Sequence, residues 1–248
     1  MKFSYSAVWD DTVRLIRAHG PLIAAIAGVF IFFPSLLLTY LLPPPEGRPG
    51  DANEAIRLTI EYYSAAWPWF AAESLLAMVG TLAVLRLIFA RNTTVGAALA
   101  VGAAFLPFYF LLSLISGFII GIGLLFLLLP GFYLAGRLVI AGPVMIAENR
   151  RNPIDAIGRA FEITKGRGWA IFFLILLVVV AGFVVIMVVN ALLGIVFTVI
   201  AGADLGRLLV AIVSAATSTG FTMLLVVLYA SIYRSLAGDL GSTAEVFQ

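Results

Sequence analysis

The sequence predicts an all-α membrane protein, a bundle of about six transmembrane helices with two amphipathic helices at the cytoplasmic surface. Of its 248 residues, 62% are hydrophobic and 11% are charged, whereas a soluble domain has roughly 45–50% and 25%. Residues 95–147 contain one formal charge, Arg137. The chain also divides into apolar runs of the ~20 residues that cross a bilayer core about 30 Å thick.

These runs define the predicted elements in order. We expect one integral membrane domain over residues 1–248, with an interfacial helix over 3–18 before the first span and another over 153–165 before the fifth. Pro34 lies inside the first span and is expected to kink it. The six predicted spans cover residues 21–42, 66–90, 96–120, 131–147, 169–197 and 208–233.

The boundary between the third and fourth spans has two possible positions. Pro130-Gly131 is the strongest turn signal in the central apolar block, and we favour a turn there. That choice makes the third span too long, and Gly117, Gly121 and Gly123 offer places where the excess could form a second short helix. The alternative is a break near Gly121, with Pro130 as a kink inside the fourth span.

Basic residues predict the orientation, because Lys and Arg concentrate in cytoplasmic loops. With a cytoplasmic N-terminus, the cytoplasmic side carries eleven basic residues and the other side three. Both termini are therefore expected in the cytoplasm. The eleven are Lys2, Arg14, Arg17, Arg86, Arg91, Arg150, Arg151, Arg159, Lys165, Arg167 and Arg234, and the three are Arg48, Arg57 and Arg207.

The two interfacial helices are predicted from apolar residues at helical spacing. In residues 153–165, Asn152 suits the N-cap and Pro153 the first helical position. Ile154, Ile157 and Phe161 then share an apolar stripe that we expect to face the lipid. The first helix has the same pattern, formed by Tyr5, Val8, Trp9, Thr12, Leu15 and Ile16.

Arg137 is the most unusual residue inside a predicted span, because an arginine there requires a partner, a water path or a route to the headgroups. Glu73 follows Trp67 by six residues, and Arg137 follows Pro130 by seven. At 1.5 Å per residue both lie ~10 Å inward from one surface. We therefore predict an intramembrane polar pair between Glu73 and Arg137. The alternative is that each side chain reaches the headgroups separately.

Small and hydroxylated residues on the last two spans predict close helix packing. Three of these residues share a face of the fifth span, and three share a face of the sixth. They are Gly182, Asn190 and Gly194, and Ala211, Ala215 and Thr219.

Several functions are disfavoured by composition. The chain has no cysteine and one histidine, His19, so thiolate metal sites and multi-histidine sites are excluded. No nucleophile–base set and no phosphate-binding or metal-binding motif is evident. We therefore expect no catalytic residue, no metal and no cofactor. A net charge of +2 is too small to suggest nucleic acid.

One segment resembles a known family. It contains the sequence AIGRAFEITKGRGW, preceded by a proline and an acidic residue at the end of a span that starts near Pro-Gly. This pattern resembles the bacterial six-span family called the glycerophosphoryl diester phosphodiesterase membrane domain, with its YciC-like relatives. Ala160 replaces a common serine. The matching positions, besides Arg137, are Pro130, Gly131, Pro143, Glu148, Ala156, Arg159, Thr164, Lys165, Gly166 and Trp169.

The resemblance implies a six-span fold in the bacterial inner membrane. The motif covers about forty residues. The catalytic barrel that gives the family its name is absent from this chain, so diesterase activity is not implied.

We expect a non-enzymatic protein that organises or handles lipid, or that scaffolds membrane proteins. Basic residues beside the interfacial helices would attract anionic headgroups, by ~1 kcal/mol each. The alternative is a small-solute or lipid transporter, or a channel, that uses Glu73 and Arg137. The candidate headgroup-binding residues are Arg150, Arg151, Arg159, Lys165 and Arg167.

Overall fold

The computed structural model describes residues 3–43, 45, 52–90, 92–126 and 128–246, and within them it contains helices and no strand. Lys2, Arg48 and Arg91, which entered the orientation prediction, lie outside the described residues. The helices are α1 (Tyr5–Ala27), α2 (Phe33–Leu41), α3 (Ala52–Phe89), α4 (Val95–Phe126), α5 (Leu128–Leu138), α6 (Ala141–Ala147), α7 (Pro153–Ile163) and α8 (Gly168–Val246).

The first predicted interfacial helix and the first predicted span form one continuous helical segment. α1 begins after Ser4, whose side chain accepts a hydrogen bond from the backbone N–H of Ala7 at 3.3 Å. It passes through Pro21 and joins α2 by a π-helical turn over Gly28–Phe32. Pro34 follows this turn and has no N–H to close a regular helical turn, so the helix widens at the kink that the proline predicts.

Two helices are longer than predicted. α3 begins at Ala52 instead of residue 66, and its polar first part carries an Arg57–Glu61 ion pair of 3.0 Å one helical turn apart. α4 continues to Phe126, so the alternative break near Gly121 is wrong, because that glycine lies inside the helix. The favoured turn at Pro130-Gly131 is also wrong, because both residues lie in the first turn of α5, which begins at Leu128.

The fourth predicted span, residues 131–147, consists of two short helices. α5 ends at Leu138, and α6 starts at Ala141. Val139 still donates to the carbonyl of Ala135 at 3.2 Å, and Val144 donates to the carbonyl of Ile140 at 2.9 Å. The backbone is therefore interrupted near the middle of this span.

α8 is a helical hairpin. Its backbone turns at Gly202, where φ is 75°, a value that favours glycine. The arms Gly168–Phe197 and Leu205–Gly238 agree with the fifth and sixth predicted spans. They meet where Asn190 Nδ2 donates to Thr217 Oγ1 at 3.1 Å.

The residues predicted for helix packing lie at two contacts of the hairpin. Gly182 faces the ring of Phe221, which a Cβ would approach to 2.1 Å, and Gly194 would bring a Cβ to 4.0 Å from Val210. On the second arm the residues are buried, and α8 packs against α1 and α2. The buried residues are Ala211, Ala215 and Thr219.

Among the described residues, six helical segments are long and apolar enough to cross a membrane. The chain is therefore an all-α bundle with the architecture of a multi-pass membrane protein. Its most densely buried part lies near α6 and α7, which we call the α7 end of the bundle. The buried side chains there include Leu85, Ile140, Met145, Ile146, Leu228 and Ile232.

Candidate functional site

Arg137 fixes the C-terminal end of α7 to α5. Its guanidinium donates to the carbonyl oxygen of Phe161, and its Nε donates to Thr164 Oγ1 at 3.1 Å. The guanidinium carbon also lies 4.5 Å from the centre of the Phe161 ring and 5.6 Å from that of Tyr133. A cation is stabilised there, because the last carbonyls of a helix carry partial negative charge.

The predicted pair of Glu73 and Arg137 is wrong. Glu73 borders an apolar cavity between α2 and α3 that also includes Trp69. Among the described residues, no ion pair joins Glu73 to Arg137. The two residues were predicted at a similar depth in the membrane, but depth does not determine which helix face each side chain occupies.

Glu148 is the centre of a polar cluster immediately after α6. Its Oε2 accepts from Arg150 Nε at 2.7 Å, and its Oε1 accepts from Arg159 Nε at 3.1 Å. The hydroxyl of Tyr233 donates to the same Oε1 at 3.3 Å, and Arg159 also pairs with Glu162 at 3.1 Å. The carboxylate therefore connects α6, α7 and the second arm of α8.

The protonation of Glu148 is controlled by opposing effects. Burial raises the pKa of this carboxyl, but the hydrogen bonds and charges of Arg150 and Arg159 outweigh burial and leave the pKa below its ordinary value of 4.5. The pKa of Arg159 is raised by its hydrogen bonds to Glu162 and Glu148. Both partners therefore favour their charged forms, as an ionic link between them requires.

This link predicts a loss of stability in acid. A carboxylate whose pKa is lower in the folded protein stabilises it above the ordinary pKa, and the contribution disappears as pH falls through the lowered value. The difference in unfolding free energy between the wild type and Glu148→Gln should be present at neutral pH and should shrink below pH 4.5. Unfolding in detergent micelles at stepped pH measures it, and a difference independent of pH would contradict the assignment.

The residues that resemble the family motif contribute mainly to docking α7. Ala156 and Thr164 are fully buried, and Arg159 binds Glu148. Gly166 has a φ of 74°, which explains a glycine after α7. The others have roles in packing or at helix ends. Pro143 is buried in α6, Gly131 contacts Leu124, and the Trp169 ring lies 5.8 Å from the Tyr133 ring. The backbone N–H of Lys165 donates to the Glu162 carbonyl, and Pro130 lies in the first turn of α5.

The predicted apolar stripe of α7 differs from the face that is buried. Asn152 accepts a hydrogen bond from the N–H of Ile154 at 3.0 Å, as its predicted capping role requires. Ile154 itself is 68% exposed, whereas Ala156, Ile157 and Ala160 are buried against the bundle. α7 packs on α4 and α6, and its buried face includes the small residues Ala156 and Ala160, which a stripe of large apolar residues does not predict.

The predicted headgroup-binding residues are largely engaged within the protein. Arg150 and Arg159 bind Glu148, and the Arg151 guanidinium lies 5.8 Å from the Phe105 ring centre. Arg167 also has an interaction partner. These contacts connect loops and helices within the protein. The four arginines therefore stabilise the fold, and a ligand would have to compete with their present partners.

An apolar groove lies between the first turns of α1 and the α8 hairpin, and sequence reasoning did not predict it. Its volume is about 710 Å³. We call it the α1 groove. Its walls are lined by Tyr5, Ser6, Trp9, Leu174, Leu177, Val178, Ala181, Gly182, Val185, Ile186, Thr217, Gly220, Phe221 and Leu224.

A charged surface adjoins the α1 groove at Trp9. Trp9 lines both the groove and a polar depression that it shares with Asp10, Val13, Arg14, Arg17 and Ala18. Asp11 pairs with Arg14 and lies 3.6 Å from Arg234 Nε on the second arm, which ties α1 to the hairpin. The only sequence signal for this site was the aromatic pair on the apolar face of the first helix, Tyr5 and Trp9, which are 47% and 41% exposed.

Comparison with known proteins adds no relative. No family model, no curated protein and no solved structure matches the chain.

Proposed function

We propose that the protein is a non-enzymatic, multi-pass protein of the bacterial inner membrane that holds phospholipid at its cytoplasmic side. In this proposal both termini are cytoplasmic, an acyl chain occupies the α1 groove, and the anionic headgroup lies beside Arg14 and Arg17. The observation that carries the proposal is the meeting, at Trp9, of an apolar groove and a charged helix surface that includes Arg14 and Arg17 beside Asp10.

Each part of this site suits one part of a phospholipid. The groove is enclosed by α1 on one side and by both arms of α8 on the other, so a chain inside it has more protein contacts than a chain on an open helix face. The amphipathic ring of Trp9, which borders both the groove and the charged depression, suits the boundary between headgroups and chains. Basic residues near that boundary contribute ~1 kcal/mol each toward an anionic headgroup.

The contacts that dock α7 support a second proposal, which concerns the family of the chain. We propose that the chain is a relative of the phosphodiesterase membrane-domain family. The positions that resemble the motif contribute to docking α7, which is a structural role that a non-enzymatic membrane domain requires. A transport site built jointly from Glu73 and Arg137 has no comparable support, because these residues have different neighbours.

Quenching of Trp9 fluorescence by brominated lipid tests the proposal. Trp67, Trp69 and Trp169 are first replaced by phenylalanine, so that Trp9 is the only tryptophan. In nanodiscs, brominated phosphatidylglycerol should quench Trp9 more strongly than brominated phosphatidylcholine with the same chains. Arg14→Gln with Arg17→Gln should remove the difference between the two lipids and leave the quenching by phosphatidylcholine unchanged.

A matched control separates this effect from general contact with lipid. Trp67 is 64% exposed on α3, far along the chain from both arginines. With Trp67 as the only tryptophan, the two lipids should quench equally. Equal quenching of Trp9 by the two lipids in the parent protein would contradict the headgroup assignment and would favour a role in scaffolding membrane proteins.

A further inference from the structure

The apolar cavity beside Glu73 lies between α3 and the last part of the first span. Its volume is about 480 Å³, and it shares no lining residue with the α1 groove. One wall consists of apolar side chains of α2 and of the π-helical turn before it. The other wall consists of four residues on one face of α3, Trp69, Ala72, Glu73 and Leu76.

Glu73 lies within the apolar layer. It precedes Phe89, the last residue of α3, by sixteen residues, or ~24 Å at 1.5 Å per residue. The hydrocarbon core of a bilayer is about 30 Å thick. Trp69 is one helical turn earlier, ~6 Å closer to the surface opposite Phe89. The carboxyl group of Glu73 is therefore deeper in the membrane than the tryptophan beside it.

Glu73 is the one lining residue with a formal charge, and the protein does not supply a counter-charge for it. Among the described residues, no basic side chain forms an ion pair with Glu73. Ionisable residues inside transmembrane segments are rare, usually pair with an opposite charge, and mark sites where ligands bind. A cationic ligand in the cavity would provide the charge that Glu73 lacks.

Trp69 adds a second group that attracts a cation. Residues four apart on a helix are neighbours on its surface, so the indole ring and the carboxyl group border the same part of the cavity. The face of a tryptophan ring attracts organic cations, most strongly away from water. Trp69 is 63% exposed, so its ring is accessible to a ligand.

We propose that this cavity binds a hydrophobic organic ammonium ion. The cationic nitrogen lies between the Glu73 carboxylate and the Trp69 ring, and the apolar part of the ligand packs against α2. This site is separate from the α1 groove, and the inference does not depend on the lipid proposal.

Other occupants match this lining less well. A calcium or magnesium ion needs several oxygen ligands, whereas the side chains of the lining offer one carboxylate. An uncharged acyl chain would fill the apolar space but leave the charge of Glu73 unpaired. The ammonium group of a zwitterionic phospholipid would bring its phosphate into the apolar layer. An ammonium ion with only apolar substituents avoids both costs.

Quenching by a hexadecyldimethylammonium ion with a nitroxide attached to its nitrogen tests the proposal. One protein keeps Trp69 as its only tryptophan, and a matched control keeps only Trp67, with phenylalanine at the other positions. Trp67 is 64% exposed, lies two residues away on α3 and does not line the cavity. In phosphatidylcholine nanodiscs, half-quenching of Trp69 should need at least fivefold less of this quencher than half-quenching of Trp67.

Two pairs of variants assign the preference to the cavity. Glu73→Gln should abolish it, whereas Glu61→Gln, which removes an exposed carboxylate of the same helix, should preserve it. Ala72→Phe fills the cavity while Glu73 remains, and it should also abolish the preference. Ala71→Phe places the same ring at an exposed position outside the lining and should preserve it.

Four results would overturn the proposal. The first is equal quenching of Trp69 and Trp67 in the parent proteins, and the second is a preference that survives Glu73→Gln. The third is the same preference for an uncharged nitroxide amide with an equal chain, which would make the cavity a site for neutral lipid. The fourth is displacement of the quencher by phosphatidylethanolamine as effectively as by hexadecyltrimethylammonium, which would make it a site for a phospholipid headgroup.

Discussion

Replacing Gly136 with alanine should lower the free energy of unfolding by about 3 kcal/mol, the upper part of the range for overpacking a dense core. A Cβ at residue 136 would lie 2.4 Å from the carbonyl oxygen of Gly168 and 2.9 Å from Cβ of Phe172. The first contact is with backbone, so no rotamer change can relieve it. α5 and the start of α8 would have to separate.

That separation should also disturb α7, because Arg137 follows Gly136 directly. Gly158→Ala and Gly117→Ala are the controls, since a Cβ at either position meets nothing within 4 Å. Each control should leave stability unchanged or raise it by up to ~1 kcal/mol through helix propensity. Titration with SDS in mixed micelles measures all three variants. A Gly136→Ala protein as stable as the controls would contradict the close contact of α5 with α8.

Replacing Arg137 with glutamine should cost about 3 kcal/mol, because hydrogen bonds to a charged group contribute ~1.5–3 kcal/mol each and two are lost. Arg137→Lys should recover part of this, since it keeps the charge but not the fork of donors that reaches both Phe161 and Thr164. Arg57→Gln is the control, because it removes an exposed helix pair worth less than ~0.5 kcal/mol.

Two double-mutant cycles separate the observed partner of Arg137 from the predicted one. Arg137→Gln combined with Thr164→Val should show a coupling energy of ~1 kcal/mol or more, since the two side chains are hydrogen-bonded. Arg137→Gln combined with Glu73→Gln should be additive. Coupling to Glu73 and none to Thr164 would contradict the position of α7. Faster amide exchange in α7 of Arg137→Gln provides an independent measurement.

The spans were predictable because hydropathy reports burial in lipid without reference to any partner. The ends of the spans were less predictable. α3 extends to Ala52 through residues that are polar but favour a helix, and α4 continues past Gly117 and Gly121 because a single glycine weakens a helix without ending it. The break inside the fourth span has no proline or glycine at Val139–Ile140 itself, and its local signal is Pro143, which cannot donate a hydrogen bond to the Val139 carbonyl four residues earlier.

The sequence predicted which site residues are important better than it predicted the residues that they contact. Arg137 was identified as needing a partner, but hydropathy gives depth and not direction, and the partner lies on α7. Glu148 was predicted only as part of a motif, and the signal for its ionic link is its position two residues before Arg150 in a short loop. Its contact with Tyr233 joins residues 85 positions apart, which only the packing of the bundle determines.

The most direct test of the central proposal is the amount of phospholipid that stays bound when the α1 groove is filled. Ala181→Phe places a ring in the groove, and Val180→Phe places the same ring on a neighbouring residue that is 53% exposed and does not line it. Native mass spectrometry in mild detergent should detect retained phospholipid on the wild type and on Val180→Phe, and should detect at least fivefold less on Ala181→Phe at equal thermal stability. Equal retention by all three proteins would contradict the account.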